Sequence, residues 1–436
     1  MTSFNRIRNI SKKIGIPKDS SNIIQLVQNA HQQMLANSEV VITTPLQKHY
    51  QYSEKYNCNL FLKREDMQTV RSFKIRGAFN KIINLQKKEK EKGIVCASAG
   101  NHAQGFAHTC NKLGIYGDIF LPEQTPLQKI NRIKYFGNGF CNINLIGKDF
   151  NQCLHHSLQF CEEHNKTFIH PYDDHQTIIG QATIANEIYN EIDPDVIVGC
   201  IGGGGLMAGV SMFGKAFPGP ECLMIGAEPE SCASMKASIE HGKLVEIPIT
   251  DTFVDGATVS KVGGKTFQIC KHHLDDIYTS PAGRICQEML ELYQNDGIVL
   301  EPAGALSLSV LDQIEPSTLA GKNVVCILSG GNNDITRYPE VLEKYLRYQD
   351  LKHYYIIQFP QTPGQLSKFI NNILGEDDDI VRFDYLKKTN REYGNVLIGI
   401  QVQNKENVQK IDQNLNKYHF DFIKINENDL LYSYLV

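Results

Sequence analysis

The stretch "DVIVGCIGGGGLMAGV", Asp195 to Val210, joins an apolar run to a second one through four consecutive glycines. From Val196 to Gly214 nineteen residues carry no charge, close to the length of a membrane span. Seven of them are glycine, a density that weakens any helix and suits a buried strand, a loop and then a helix. The fold follows from that reading. On either side, short apolar runs recur: "NLFLK" (59–63), "GIVCAS" (93–98), "GDIFL" (117–121), "CLMIGAE" (222–228) and "NVVCILS" (323–329). Helical periodicity intervenes, for example over 103–113 and 181–192. Near-continuous apolar strands alternating with helices predict an α/β architecture with parallel sheets.

The 436 residues are enough for two or three domains with full cores. A hydrophobic share of 42% with 21% charged residues fits an ordinary globular chain. A net charge of -4 gives no electrostatic basis for binding nucleic acid or an anionic membrane. No membrane span is expected. The twelve cysteines form no C-x-x-C pair, and Cys200 and Cys326 lie inside apolar runs. Reduced, buried thiols in a cytoplasmic setting follow. The first eighteen residues hold Arg6, Arg8, Lys12, Lys13 and Lys18 and no acid. That reads as a frayed basic terminus, with a transit segment to an organelle matrix as the alternative. The pairs His155–His156 and His272–His273 lack metal-ligand spacing, and no metal is expected.

Composition shifts after "PEVLEKYLRYQD" (339–350). The remainder reads strand (353–359), helix (365–374), strand (380–386), strand (395–402), helix (406–417) and a last strand at 422–425 or 430–434. The order βαββαβ is a ferredoxin-like unit. The expected division is a flexible extension 1–22, a large body 23–345 and a small separate domain 350–436.

Three turns rich in small residues each follow a strand. "ASAGNHAQG" (97–105) enters a helix and puts Ser98, Gly100 and Asn101 at its start. Amides there attract a phosphate or a carboxylate, and Ser and Asn are also ordinary caps. At Gly202, Gly203, Gly204 and Gly205 no Cβ obstructs the approach of a phosphate to the backbone. Gly203, Gly205 and Ala208 also match a relaxed dinucleotide fingerprint, with Glu228 twenty residues further on. Alone, that segment reads as an NAD site. "LSGGNND" (328–334) ends a third strand with Ser329. Lys74, in "RSFKIRGAFN" (71–80), opens a helical pattern between Phe73 and Ile75. In isolation it reads as a snorkelling side chain.

A lysine opening a helix, then "SAGNHAQG", four glycines, "EPAGA" (301–305) and "SGGNN" (329–333) resembles, in that order, the β-family of pyridoxal-phosphate enzymes. More closely, "RED" (64–66), "SFKIRGA" (72–78), "TPLQKI" (125–130), "IGGGGLMAGV" (201–210), "VDGATV" (254–259) and "EPAGALS" (301–307) resemble the threonine dehydratases over residues 40–345. The tail, with "FPQTPGQLSKF" (359–369), is similar to the single ACT-like domain of their short biosynthetic form.

The resemblance implies a two-lobed fold type II body followed by a ferredoxin-like domain, with pyridoxal 5'-phosphate as cofactor. It implies deaminating dehydration of L-threonine to 2-oxobutanoate and ammonia, with L-serine as a second substrate. Isoleucine as effector of the tail, valine as its competitor and a homotetramer also follow from it. Lys74 would hold the cofactor covalently, and an amine wedged between Phe73 and Ile75 is desolvated toward its nucleophilic form. Phe73 would lie near the ring. Gly202, Gly203, Gly204, Gly205 and the Leu206 amide would hold the phosphate. Asn101 would bond the ring hydroxyl, Glu301 border the ring edge, and Ser329 face the pyridine nitrogen. Ser98, with the neighbouring Ala99, Gly100, Asn101 and His102, would grip the substrate carboxylate.

Two departures matter. Related serine racemases carry "SSGNH", whose second serine serves the opposite face of the substrate; here that position is Ala99, so racemisation is expected to be poor. Their cation site uses an acid six residues after the Glu of an "EP" turn, and in "AEPESCASM" (227–235) that position is Ser234. An NAD-dependent oxidoreductase accounts for neither Lys74 nor "SAGNH". An inactive amino-acid sensor is disfavoured because every expected catalytic position is filled. Catabolic dehydratases lack a tail like 350–436.

Overall fold

The computed structural model describes residues 20–385, 391–426 and 431. Residues 1–19 of the expected extension, and the alternative last strand at 430–434 apart from residue 431, lie outside them. In chain order the strands are β1 (Leu46–Lys48), β2 (Asn59–Arg64), β3 (Ile94–Ala97), β4 (Gly117–Leu121), β5 (Cys141–Leu145), β6 (Thr167–Phe168) and β7 (Val196–Cys200). They continue with β8 (Leu223–Pro229), β9 (Asp276–Ser280), β10 (Asn323–Leu328), β11 (Lys352–Pro360), β12 (Asp379–Tyr385), β13 (Tyr393–Gln401) and β14 (Phe422–Ile425).

The chain forms two compact units, the first ending at Asn333 and the second beginning at Asp334. The first holds two sheets. One is six-stranded in the order β1-β2-β10-β7-β8-β9, parallel except for β1 against β2. The other is four-stranded and parallel, β5-β4-β3-β6. Helices cover the inner strands, and every residue of β3, β4 and β7 is buried; such strands read as unbroken apolar runs. The uncharged segment from Val196 divides into β7, the glycine turn and the helix Gly205–Ala216. No helix of the described residues is long and apolar enough to cross a membrane. The edge strand β5, "CNINL", is only half-buried and carries two asparagines. It has no apolar signature, and so the sequence reading passed over it.

Because the strands are parallel, the loops after β2, β3, β7 and β10 all leave from carboxyl ends, where open α/β sheets form their crevice. One polar network fixes the helix that faces them. Arg76, in the helix Lys74–Ile83, is wholly buried. Its guanidinium makes two 2.7 Å bonds to Glu65, which follows β2. It makes 2.6 and 2.9 Å bonds to Glu187 in the helix His175–Glu191. Lys63 of β2 completes the set with 2.6 Å bonds to Glu187 and to the Thr44 carbonyl. Two cations meet two carboxylates with their hydrogen-bonding capacity largely used, the condition under which buried charge is tolerated. The two helices also touch through backbone: a Cβ on Gly180 would sit 2.6 Å from the Arg76 carbonyl.

The second unit has the order βαββαβ and an antiparallel sheet β12-β13-β11-β14. The helices Gln365–Ile373 and Lys405–Lys417 bury Phe369, Ile373, Val408, Ile411 and Leu415 against Tyr355, Ile357, Ile398 and Ile400. The helix Tyr338–Tyr348 belongs to this unit, with Glu343 paired to Lys352 at the start of β11. The second compact unit therefore includes that helix.

The network sets an acid limit. Burial raises the Glu187 carboxyl, but Arg76 and Lys63 outweigh it and hold the group at about 2, against an ordinary 4.5. The folded chain thus binds fewer protons than the unfolded one. The stabilisation is complete above about pH 4.5 and fades as pH falls toward 2. Arg76→Met, which leaves Glu65 without its cation and Glu187 with Lys63 alone in a dry site, should cost about 3–5 kcal/mol in urea unfolding. Glu187→Gln should lower the melting temperature at neutral pH and flatten its decline between about pH 5 and 3. A variant as acid-sensitive as the parent would contradict this.

Candidate active site

Lys74 is the first residue of its helix, and its amide takes a 3.3 Å bond to the Ser72 hydroxyl. Its Nζ lies 5.3 Å from the centre of the Phe73 ring and 5.8 Å from that of Tyr172. It donates to the Pro171 carbonyl at 3.1 Å. Burial pushes the amine down from an ordinary 10.5 to about 8, against the opposing influence of Cys200 and Glu301. A single neutral acceptor and two aromatic faces leave this amine near the point where it loses its proton at physiological pH.

Phe73 is buried, and its amide donates to the Ser329 carbonyl at 3.1 Å, tying the start of the lysine helix to the end of β10. Ser329 is buried and its hydroxyl donates to the Ala303 carbonyl at 3.2 Å. On the other side of the cleft, Asn101 opens the helix Asn101–Leu113 after β3. It donates to Glu301 at 2.6 Å and accepts from Asn332 at 2.7 Å. Burial, with Asp255 adding to it, raises the Glu301 carboxyl to about 7 from 4.5, and the bond from Asn101 opposes. Ser98, Ala99 and Gly100 are half-buried at the cleft, and the Ser98 hydroxyl accepts from the Gly100 amide at 3.3 Å. The imidazole of His102 is turned away into the core, where Nε2 meets the Ile169 carbonyl at 2.9 Å. Burial holds it neutral, at about 3, so only its backbone faces the helix start.

The four glycines link β7 to the helix Gly205–Ala216, which begins with no side-chain cap. Gly204 stands at φ +90°, a left-handed conformation that favours glycine. A Cβ on Gly203 would land in the ring of Tyr172, and one on Gly205 would lie 2.8 Å from its Cβ. Leu206 buries its side chain and offers only its amide.

Sequence reasoning missed Tyr172. The loop that carries it is locked by its neighbours: the His170 Nδ1 accepts the amides of Tyr172 and Asp173. The Asp173 carboxylate accepts the amides of Gly264, Lys265 and Thr266 at the start of the helix Gly264–His273. Asn332, part of the quoted "SGGNN", was also unassigned. Glu228, the acid of the dinucleotide reading, is fully buried and accepts the amides of Met235 and Lys236, each at 2.8 Å. It is committed to a helix start rather than to a ribose. Ser234 donates to the Val259 carbonyl at 2.6 Å. Among the described residues, no group of three or more His, Cys, Asp or Glu is placed to hold a metal.

A family model described as pyridoxal-phosphate dependent enzyme matches residues 38–330, and one described as the C-terminal regulatory domain of threonine dehydratase matches 343–435. A biosynthetic L-threonine dehydratase of Halalkalibacterium halodurans is 48% identical over 400 residues, 91% of this chain and 96% of that protein. The chain belongs to the pyridoxal-phosphate-dependent threonine dehydratases. The Bacillus subtilis biosynthetic L-threonine dehydratase is 44% identical over 95% of this chain and 97% of its own length. Among solved structures, the processed form of threonine deaminase isoform 2 from Solanum lycopersicum is 34% identical with a TM-score of 0.67, covering 73% of this chain and 93% of its own. Serine racemase from Dictyostelium discoideum is 28% identical with a TM-score of 0.66, over 72% and 99%.

The cleft of this threonine dehydratase fits the family's cofactor. An uncapped helix start behind a loop without Cβ atoms suits a phosphate. An amine brought down to about 8 suits an aldehyde. Gly203→Ala drives a methyl group against Tyr172 and should weaken retention of pyridoxal phosphate by about tenfold or more. Equilibrium dialysis against the free cofactor measures it, and unchanged retention would remove Gly203 from the cradle.

Proposed function

We propose that the chain deaminates L-threonine to 2-oxobutanoate and ammonia, losing the β-hydroxyl as water and regaining a water when the resulting imine hydrolyses, and acts likewise on L-serine to give pyruvate. The observation that carries this reading is the Lys74 amine, with its pKa brought to about 8, in the cleft where the loops after β3, β7 and β10 meet. Bound pyridoxal phosphate supplies an electron sink for charge that develops at the substrate's α-carbon. Lys74 holds that group between turnovers and takes the α-proton during them. Gly202, Gly203, Gly204, Gly205 and the Leu206 amide bind its phosphate. Asn101, fixed between Glu301 and Asn332, would hold the ring hydroxyl with its amide, and Phe73 would line the ring's place. Ser329 would offer a neutral hydroxyl to the ring nitrogen by giving up its 3.2 Å bond to the Ala303 carbonyl, which would favour elimination over transamination. Ser98 and the amides of Ala99, Gly100, Asn101 and His102 orient the substrate carboxylate. Ala99 provides no acid or base on the second face, so racemisation is slow.

We further infer that the second unit binds isoleucine, with valine competing, and that the chain assembles as a tetramer in the cytoplasm. Support comes from the match of the tail to a threonine dehydratase regulatory domain and from its βαββαβ order. An effector acts only if it binds one global state better than another. Feedback then follows from a preference of isoleucine for the less active state.

Three outcomes test these assignments. Lys74→Ala should abolish turnover and the visible absorbance of the bound cofactor while the circular dichroism of the chain stays unchanged. In the cofactor-free parent, the rate of recombination with pyridoxal phosphate should rise through about pH 8 as the amine loses its proton. Recombination that is flat across that range would remove Lys74 from the role. Separately, isoleucine should inhibit the full chain sigmoidally and leave a chain lacking residues 350–436 uninhibited. Unchanged inhibition of the active truncated chain would move the effector site to the first unit.

A further inference from the structure

A side chain added at any of the four glycines after β7 would strike protein. One at Gly202 would lie 3.0 Å from the Ala257 Cα, and one at Gly204 would lie 2.6 Å from the Met235 Cε. At Gly203 it would fall on Cγ, Cδ1 and Cδ2 of Tyr172. At Gly205 it would lie 2.8 Å from the Tyr172 Cβ and 3.0 Å from its Cα. Neither Gly203 nor Gly205 stands at positive φ, so alanine is barred there by contact alone. The Gly203 carbonyl is also spent on protein, accepting the Thr266 hydroxyl at 2.7 Å. Among the described residues, no amide from Gly202 to Leu206 donates to a protein acceptor. The run is thus packed hard on its underside while its amides stay unspent.

Tyr172 supplies half of that underside, and the loop that carries it is held by bonds that do not involve its ring. His170 Nδ1 accepts the amides of Tyr172 and Asp173. The Thr177 hydroxyl donates to the His170 carbonyl at 3.2 Å, and Asp173 is tied to the start of the helix Gly264–His273. The rings of His170 and Tyr172 meet edge to face, their centres 4.7 Å apart. The residue before Tyr172, Pro171, accepts the Lys74 amine at 3.1 Å. Adjacent residues of one braced loop therefore touch the glycine run and the lysine.

We propose that Pro171 and Tyr172 form a bracket that sets the spacing between the glycine run and Lys74, with Tyr172 the positioning residue that holds the amides of the run in place for a phosphate. Positions 203 and 205 are glycine because of the ring beneath them, not because of the ligand above. Tyr172 acts through the loop it supports, and its hydroxyl has no part in this role. The proposal rests on the reading of the four glycines as the phosphate cradle.

Equilibrium dialysis of the full chain, freed of cofactor, against pyridoxal phosphate and against pyridoxal, which lacks the phosphate, tests it. Tyr172→Ala should weaken pyridoxal phosphate about tenfold and leave pyridoxal near its parental affinity, and Tyr172→Phe should match the parent with both. Gly203→Ala should be coupled to Tyr172→Ala: the double variant should bind no more weakly than Tyr172→Ala alone, because the added methyl enters space the ring has left. Gly205→Ala meets the Tyr172 Cβ and backbone, so Tyr172→Ala should not rescue it, and Tyr172→Phe should rescue neither glycine variant. Thermal melting without cofactor is the second measurement: Gly203→Ala should lower the midpoint of the parent, and lower that of Tyr172→Ala no further. Losses that multiply in the Gly203→Ala, Tyr172→Ala double variant, or parental binding by Tyr172→Ala, overturn the bracket. Equal losses for pyridoxal and its phosphate overturn the role assigned to Tyr172. Parental binding by Gly203→Ala, Gly205→Ala and Tyr172→Ala alike overturns the cradle reading itself.

Discussion

The guanidinium of Arg76, held between Glu65 and Glu187, is the constraint on which the site depends. It lies two residues beyond Lys74, on the same first turns of the same helix, and its bonds reach the end of β2 and a second helix. Replacing such a cluster by apolar side chains of equal volume would often leave a protein as stable or more so. Its value here is geometric. Four charged groups with directional bonds allow the lysine helix one depth and one rotation, whereas an apolar patch would tolerate several. The "RED" and "KIRGA" segments, ten residues apart in sequence, are the two halves of that lock.

With the helix fixed, burial decides the charge state of what it faces. Burial lowers Lys74 to about 8 and raises Glu301 to about 7. It holds His102 and His170 neutral, at about 3 and about 4. Groups that water would keep charged are brought toward neutrality from both sides. A site of this kind binds an anionic cofactor through amides and hydroxyls rather than through salt bridges, and its protons move between groups of nearly matched affinity. On the proposed reading, that is what would let one lysine serve as both anchor and base.

The strands after which the cleft opens were legible because they are buried on both faces and read as apolar runs; β4 spans the residues of "GDIFL". β5 and β9 were not legible, since edge strands with Asn, Asp and Thr have no such signature. Lys74, "SAGNH", the glycine turn and Ser329 could be picked out because their order along the chain resembles a known family; singly, a snorkelling lysine, helix caps and turns account for most of them. Tyr172 and Asn332 are ordinary residues in ordinary loops. Their approach to the site is set by contacts far along the chain, of Asp173 with the helix Gly264–His273 and of Asn332 with Asn101. Nothing in periodicity or spacing carries that information.

Glu228 shows how two ways of using one strand end exclude each other. Its sequence position suits recognition of a ribose, and the glycines before it suit a pyrophosphate. In the folded chain both of its carboxylate oxygens are consumed by amides at the start of a neighbouring helix, and burial raises the group to about 7. Freeing that carboxylate for a ligand would unpin the helix Ser234–Glu240. Grafting a dinucleotide loop onto this body would therefore not convert its chemistry, because the acid the new ligand needs is already a structural strut. The branch between the two cofactor strategies lies in the helix after β8, and a designer wishing to cross it would have to rebuild that helix first.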